Sequence, residues 1–421
     1  MKDNFKMTNL LVKSELNLIS KFENFSKRIS ACEEYSWKID IKFSLIAFFI
    51  SIFLAFPSLW LYLQPDRAGR LFFQIMQAEN PLNRDLPPMA QLLGYRIFVP
   101  SINYFLGLKG LFVIVIPILS SWINLFLLSR ILRTRTNNNT FTLLNLIGLS
   151  LTWFIAEGTS YWGTTDSVSF LLLLIPAAYR VHPLYFVFAI PSSLFNDERS
   201  IFAGLFLLLF MIRRDYLKNN NSTYIVRSIL FAFIGLFIWI FGRYLIQSGY
   251  IVPSPNIDIV TNQIPNFVEN FREYWPCQLL NYISSFKWFF FFPLFLILSL
   301  KSQTSNDIVT KYNFDLKKQI NLNLLVFLFY SALVMVNGDV WRSMSYSFFF
   351  IIESILTLYV LDKDFSVKLS YRLVLLMIIT PVCFFGIHLT PQGSFPLPLV
   401  ILRTFGGIGE SFIPWISNFL S

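Results

Sequence analysis

The sequence predicts an all-α fold, a polytopic transmembrane bundle of about eleven spans (ten to thirteen), with interfacial helices in the N-terminus and the first outer loop. Three observations predict it. The 421 residues are 55% hydrophobic and 18% aromatic, with Phe alone numbering 48. Charged residues make up only 14%, against about 25% in an ordinary soluble domain, and the mean hydropathy is +0.57. Apolar runs of crossing length recur along the chain, and Lys and Arg gather in every second link between them. Disordered, collagenous, coiled-coil and disulfide-scaffold classes are excluded by the same composition. The net charge of +10 therefore reads as topology, and no nucleic-acid partner is expected.

Residues 1–42 are polar, with Leu10, Leu11, Leu16, Leu18, Ile19, Phe22 and Phe25 at helical spacing. The segment is too charged, and too long before the first apolar run, to be a secretory signal. It reads as an amphipathic cytoplasmic helix on the membrane surface. The first span is 43–63, long enough for about 30 Å of hydrocarbon. Further runs follow at 110–129, 141–156, 167–179, 181–195, 200–212, 224–247, 286–300, 320–336, 343–361 and 372–389. The transmembrane domain is thus 43–390, with outer loops at 64–109 and 248–286. The tail 391–421 is placed on the outer face or re-entrant.

Orientation follows from the basic links. With the N-terminus cytoplasmic, the inner loops hold Arg130, Arg133 and Arg135; Arg180; Arg213, Arg214, Lys218 and Arg227; Lys301, Lys311, Lys317 and Lys318; and Lys363, Lys368 and Arg372. This is the positive-inside pattern of a protein of the plasma (inner) membrane. The two runs flanking Arg180 and His182 are short for spans. Counting them as one would place Arg213–Lys218 outside and reverse every later loop, so two crossings are kept.

Cysteine and histidine contribute little chemistry. Cys32, Cys277 and Cys383 have no redox or metal spacing, and His182 and His388 lie far apart. Acid–base work falls to carboxylates, and these sort to the outer side. The tip Asn196–Arg199 (NDER) sits between two apolar runs, so Asp197 and Glu198 could hold an acceptor sugar or a divalent ion and Arg199 a phosphate. A capped polar turn is the competing reading. In 157–166 (EGTSYWGTTD), Tyr161 and Trp162 offer faces for sugar C–H groups, or serve as interfacial anchors, and Asp166 opens the next span. Asp339 and Arg342 (NGDVWR) can share one helix face, either to hold a leaving phosphate or as a structural pair. Glu353, in mid-span, reads as a helix–helix hydrogen bond or a protonated acid. Asp362-Lys363-Asp364 lies in an inner loop and is discounted as a metal motif.

The first outer loop holds Asp66 just beyond the first span, then an apolar-rich helical stretch (Leu71, Phe72, Phe73, Ile75, Met76), Pro breaks, and Tyr95-Arg96. A carboxylate there could take a proton from an acceptor hydroxyl, or simply cap a surface helix. A long first outer loop with an acidic residue soon after span one, an interfacial helix and about eleven spans resembles the GT-C-type glycosyltransferases. The resemblance covers most of the chain at the level of topology, with Asp66 as its residue-level anchor. Asp66 is followed by Arg67, so the acidic pair common in such loops is absent. The resemblance implies a sugar moved from a polyprenyl-phosphate donor to a glycan, lipid or protein acceptor on the outer face, with inversion. It makes Asp66 the catalytic base, with Glu79 and Asp85 as substitutes. The phosphate falls to Arg96, Arg199 or Arg342, supported by Asp166, Asp197, Glu198 and Asp339. No cofactor is required; a carboxylate-bound divalent metal is compatible, and its ligands are not defined by the sequence.

Two other classes compete. A secondary transporter, proton-coupled through Glu353, would need polar groups and broken helices at the midplane and preferably an inverted repeat, and no clear repeat is found. A polysaccharide polymerase or ligase would use two lipid-linked substrates; a non-catalytic membrane scaffold is the plainest alternative.

Overall fold

The computed structural model describes residues 2–31, 36–55, 65–82, 95–159, 164–216, 222–250, 266–302, 316–335, 339–380, 382–385 and 391–393. Helices dominate. In chain order they are α1 (Lys2–Ala31), α2 (Ser36–Leu54), α3 (Pro65–Glu79), α4 (Phe98–Phe105), α5 (Val115–Thr136), α6 (Asn139–Ser150), α7 (Trp153–Thr159), α8 (Asp166–Ala178) and α9 (Tyr185–Asn196). There follow α10 (Ser200–Tyr216), α11 (Ser222–Gln247), α12 (Asn266–Phe286), α13 (Phe291–Ser302), α14 (Leu316–Met335), α15 (Val340–Ser345), α16 (Phe348–Leu361) and α17 (Lys363–Ile379). A small antiparallel pair, β1 (Cys383–Phe385) and β2 (Pro391–Gly393), follows the last helix.

Among the described residues, four helical segments are long and apolar enough to cross a membrane: Gly110–Thr136, Thr223–Gln247, Trp275–Ser299 and Lys318–Met335. A fifth is the pair α6–α7, if its 66° bend is one broken span. Shorter apolar helices occupy Asp166–Ala178, Tyr185–Asn196, Ser200–Arg213 and Phe348–Leu361.

Several boundaries differ from the sequence reading, each for a local reason. The run expected at 286–300 begins earlier, because α12 continues through Pro276 and joins α13 by a 3-10 turn at Lys287–Phe290. The second half of the expected loop 248–286 is therefore helical. The run expected as the last span, 372–389, is helical only to Ile379, and 383–385 pairs with 391–393 as a short antiparallel ladder. Of the segment 87–108, only α4 is a regular α-helix among the described residues. Its eight residues cover about 12 Å, too short to cross.

Side-chain bonds fix which helix ends lie together. At one end Arg133 (α5) forks onto Asp40 (α2) at 2.8 Å, and Ser26 (α1) meets Thr140 (α6) at 2.7 Å. At the other, Ser51 (α2) bonds the Ser150 carbonyl and Thr159, both at 2.8 Å, and Ser167 (α8) donates to the Pro117 carbonyl (α5) at 2.9 Å. Successive helices α2, α5, α6–α7, α8, α9 and α10 thus alternate in direction. Between apolar helices in lipid there is little hydrophobic drive, and such hydroxyl and amide bonds average about 0.6 kcal/mol each. Asn145–Ser370 (3.0 Å) adds another, between α6 and α17.

The apolar core lies among α5, α6, α8, α10 and α16. Phe154 stacks on Phe348 with centroids 4.3 Å apart, and Phe350 stacks on Phe327 at 4.2 Å. The Phe-rich runs at 289–292 and 348–350 serve chiefly as packing, with Phe289, Phe292, Phe348 and Phe349 buried.

Candidate functional site

Where α8 begins, α9 ends, α10 begins and α15 begins, the structure gathers a network of carboxylates and guanidiniums. The local sequence explains the gathering. NDER allows no loop between α9 and α10. The Asn196 amide donates to the Thr165 carbonyl (2.7 Å) and Ser169 (2.8 Å), and its carbonyl oxygen accepts from the Thr165 hydroxyl (2.8 Å). That lock sets Asp197 beside Asp166.

Arg342 is the hub. It forks onto Asp166 with two 2.5 Å bonds, and reaches Asp197 at 3.1 Å, Asp339 at 3.3 Å and Glu157 at 3.2 Å. Arg199 forks onto Asp197 with two 2.7 Å bonds and donates to Asp339 (3.1 Å) and Ser343 (3.2 Å). Arg96, preceding α4, pairs with Asp197 at 2.9 Å and lies 3.7 Å from Glu198. Arg243 of α11 completes the chain by pairing with Glu198, its guanidinium lying over the Tyr95 ring. Thr164 donates to Glu157, and Tyr330 donates to the Ser343 carbonyl.

Burial divides this network into a floor and a rim. Asp166, Asp197, Glu157 and Arg342 are buried, and their geometry is that of paired charges that cannot be left single. The rim holds Glu198 (34% exposed), Asp339 (28%), Arg243 (25%) and Arg96 (21%). The guanidiniums of Arg199, Arg96 and Arg342 all converge on the buried Asp197 carboxylate.

Beside the floor, a largely apolar groove of about 420 Å³ runs between α9, α10 and α11, lined by Phe186, Ile190, Leu194, Leu205, Leu208 and Phe233. Ser193 and Ser200, on either side of Asp197 and Arg199 in sequence, also line it.

Of the residues expected from sequence, Asp166, Asp197, Glu198, Asp339, Arg96, Arg199 and Arg342 come together here. Asp66 lies in the first turn of α3, and its side chain is outside the described residues, as are Asp85, Tyr161 and Trp162. Glu79 is exposed at the end of α3 and lines a different cleft with Asn103 and Lys109. Two charged members, Glu157 and Arg243, are not among the residues expected from sequence. Glu157 opens a motif in which Tyr161, Trp162 and Asp166 carry the stronger signal. Arg243 sits inside an apolar run; a lone guanidinium four residues after Trp239 was the available signal.

Other motifs resolve differently. Glu353 (α16) accepts from Arg213 (α10), which also reaches Thr357, so the helix–helix hydrogen bond expected of it is present, as a buried salt bridge. Asp362 caps α17 through the Phe365 amide at 2.9 Å. Cys277 is buried and not in a disulfide. Among the described residues no three His, Cys, Asp or Glu side chains are grouped to hold a metal; guanidiniums stand between the carboxylates of the network. No protein-family model, curated protein or solved structure matches the chain.

Proposed function

We propose that this is a polytopic enzyme of about eleven crossings in the plasma (inner) membrane, N-terminus cytoplasmic, that transfers a sugar from a polyprenyl-phosphate donor on the outer face. The observation that carries the reading is the juxtaposition of the guanidinium–carboxylate network with the apolar groove. An amphiphile with a hydrocarbon tail and an anionic head matches both at once. The depth also fits. With 13 and 12 residues, α8 and α9 rise about 20 Å and 18 Å, short of about 30 Å of hydrocarbon, so the charges at their ends are recessed within the bilayer.

In this reading the donor's tail lies in the groove and its phosphate engages the rim, exchanging Glu198 for phosphate on Arg96 and Arg243. The buried floor keeps Arg199 and Arg342 aimed without reorganisation. The acceptor oxygen bonds to the anomeric carbon from the face opposite the phosphate. The anomeric carbon–oxygen bond to phosphate breaks, its electron pair leaves on the phosphate, and the configuration inverts. Asp66, by the resemblance to GT-C-type enzymes, takes the acceptor's proton. The donor is lipid-linked; the acceptor is a glycan, lipid or protein.

Transfer of labelled sugar from lipid carrier by the reconstituted protein tests this. Asp66→Asn is expected to lose about 10²–10⁴-fold in rate. Full activity in that variant would remove Asp66 from the role, and no transfer by the wild type from any polyprenyl-phosphate sugar would end the reading. The transporter alternative is weakened by Glu353, whose carboxylate accepts from Arg213, while the Thr357 hydroxyl donates to the Glu353 backbone carbonyl.

A further inference from the structure

A second polar site lies where α3 ends and α4 turns. A cleft of about 460 Å³ is lined by Ala78 and Glu79 of α3, Asn103 and Tyr104 of α4, and Gly107, Leu108 and Lys109 of the turn that follows. The turn is shaped by the chain itself. Gly107 adopts φ +67°, a left-handed conformation natural to glycine, and the Leu108 amide donates back to the Asn103 carbonyl at 2.8 Å. That folds Lys109 round to the same cleft as Glu79.

Two features mark the cleft as built for a ligand. Asn103 is only 1% exposed, yet among the described residues its side-chain Oδ1 has no hydrogen-bond partner. An unpaired buried amide oxygen costs about 1–3 kcal/mol, which a ligand donor would recover. Opposite charges flank it, the Glu79 carboxylate and the Lys109 ammonium, both in exposed positions. Around them, Phe105 (83% exposed), Leu106, Leu111 and Phe112 (67%) project outward as an apolar fringe. Such a fringe suits insertion into the acyl layer beneath a headgroup.

We propose that this cleft binds the headgroup of a zwitterionic membrane phospholipid bearing a primary ammonium, a phosphatidylethanolamine. The ammonium donates to Glu79 and to Asn103 Oδ1, the phosphate ester pairs with Lys109, and the acyl chains pass along the fringe. The orphan oxygen makes the site selective. A trimethylammonium headgroup has no N–H for Asn103, and an anionic glycerol headgroup has no cation for Glu79. The proposal does not rest on sugar transfer and stands or falls separately from it.

Native mass spectrometry of the full-length protein in detergent, titrated with dioleoyl phosphatidylethanolamine, phosphatidylcholine and phosphatidylglycerol, tests it. One phosphatidylethanolamine is expected to bind at least about ten-fold more tightly than either of the others, matching one or two lost hydrogen bonds to charged groups. Glu79→Gln and Lys109→Glu, at exposed positions where folding is not at risk, should each abolish that preference, and Asn103→Leu should erase the discrimination against phosphatidylcholine. Equal binding of the three lipids, a preference for phosphatidylglycerol, or a phosphatidylethanolamine preference unchanged in the Glu79 and Lys109 variants would overturn the proposal. Glycerophosphoethanolamine, which lacks acyl chains, should compete only weakly. Competition equal to that of the lipid would overturn the assignment of a membrane lipid as the occupant.

Discussion

Asp166 and Arg96 both touch the same network, yet the structure gives them opposite duties. Asp166 is buried and forked onto Arg342, so removing its charge strands a guanidinium. Asp166→Asn is expected to cost about 3–5 kcal/mol of stability, the range for breaking a buried pair, measured by thermal unfolding in detergent. Arg96→Ala, with a side chain 21% exposed, should unfold within a few degrees of the wild type and lose function instead. At this scale the sequence was informative where charges interrupted apolar runs, as in NDER and NGDVWR. It was silent on Arg243, whose run reads as an ordinary span, and on the Asn196 lock, because an amide's partners lie 27 to 31 residues away.

Among the elements, α11 and α9 approach closely because α11 presents glycine. A Cβ at Gly235 would sit 2.7 Å from the Phe186 carbonyl oxygen, a backbone atom that cannot turn aside. Gly235→Ala should push the two helices apart, deform the apolar groove they share, and cost about 1–3 kcal/mol, the range for overpacking; an unchanged unfolding temperature would contradict the packing. Elsewhere in the bundle, α1 is tied down by Glu15, which accepts from Arg372 of α17 at 2.7 and 2.9 Å. That hydrogen bond holds the Glu15 carboxyl below its usual range. The tie is therefore intact above about pH 4.3, the unfolded value, and is lost as pH falls through the folded one. Hydrogen exchange in α1 should rise on acidification, and Glu15→Gln should show the same rise at neutral pH. Helix existence was legible from apolar periodicity, whereas helix ends were not. The 66° break between α6 and α7 and the continuation of α12 through Pro276 depend on packing that no local pattern encodes.

For the whole molecule, the alternation of helix direction is the main organising fact, and it separates two kinds of charge. Arg133–Asp40 lies at one end of the bundle and the Arg342–Asp166 network at the other. The proposed topology puts the first on the cytoplasmic side. After replacement of Cys32, Cys277 and Cys383, a cysteine at Arg180 should react with a membrane-impermeant thiol reagent only from the cytoplasmic side, and one at Tyr250 only from outside. Labelling of both from one side would break the proposed topology. What the sequence could not encode was that seven of its charged candidates would close into one network around Arg342.

The central claim is that the rim of this network receives a lipid-linked phosphate, and binding of a polyprenyl phosphate to the purified protein tests it most directly. The account predicts saturable binding by the wild type, weakened at least about ten-fold in Arg96→Ala and in Arg243→Ala, with the unfolding temperature of each variant nearly unchanged, since each loses a charge-assisted contact worth about 1.5–3 kcal/mol. Undiminished binding in both folded variants would contradict it.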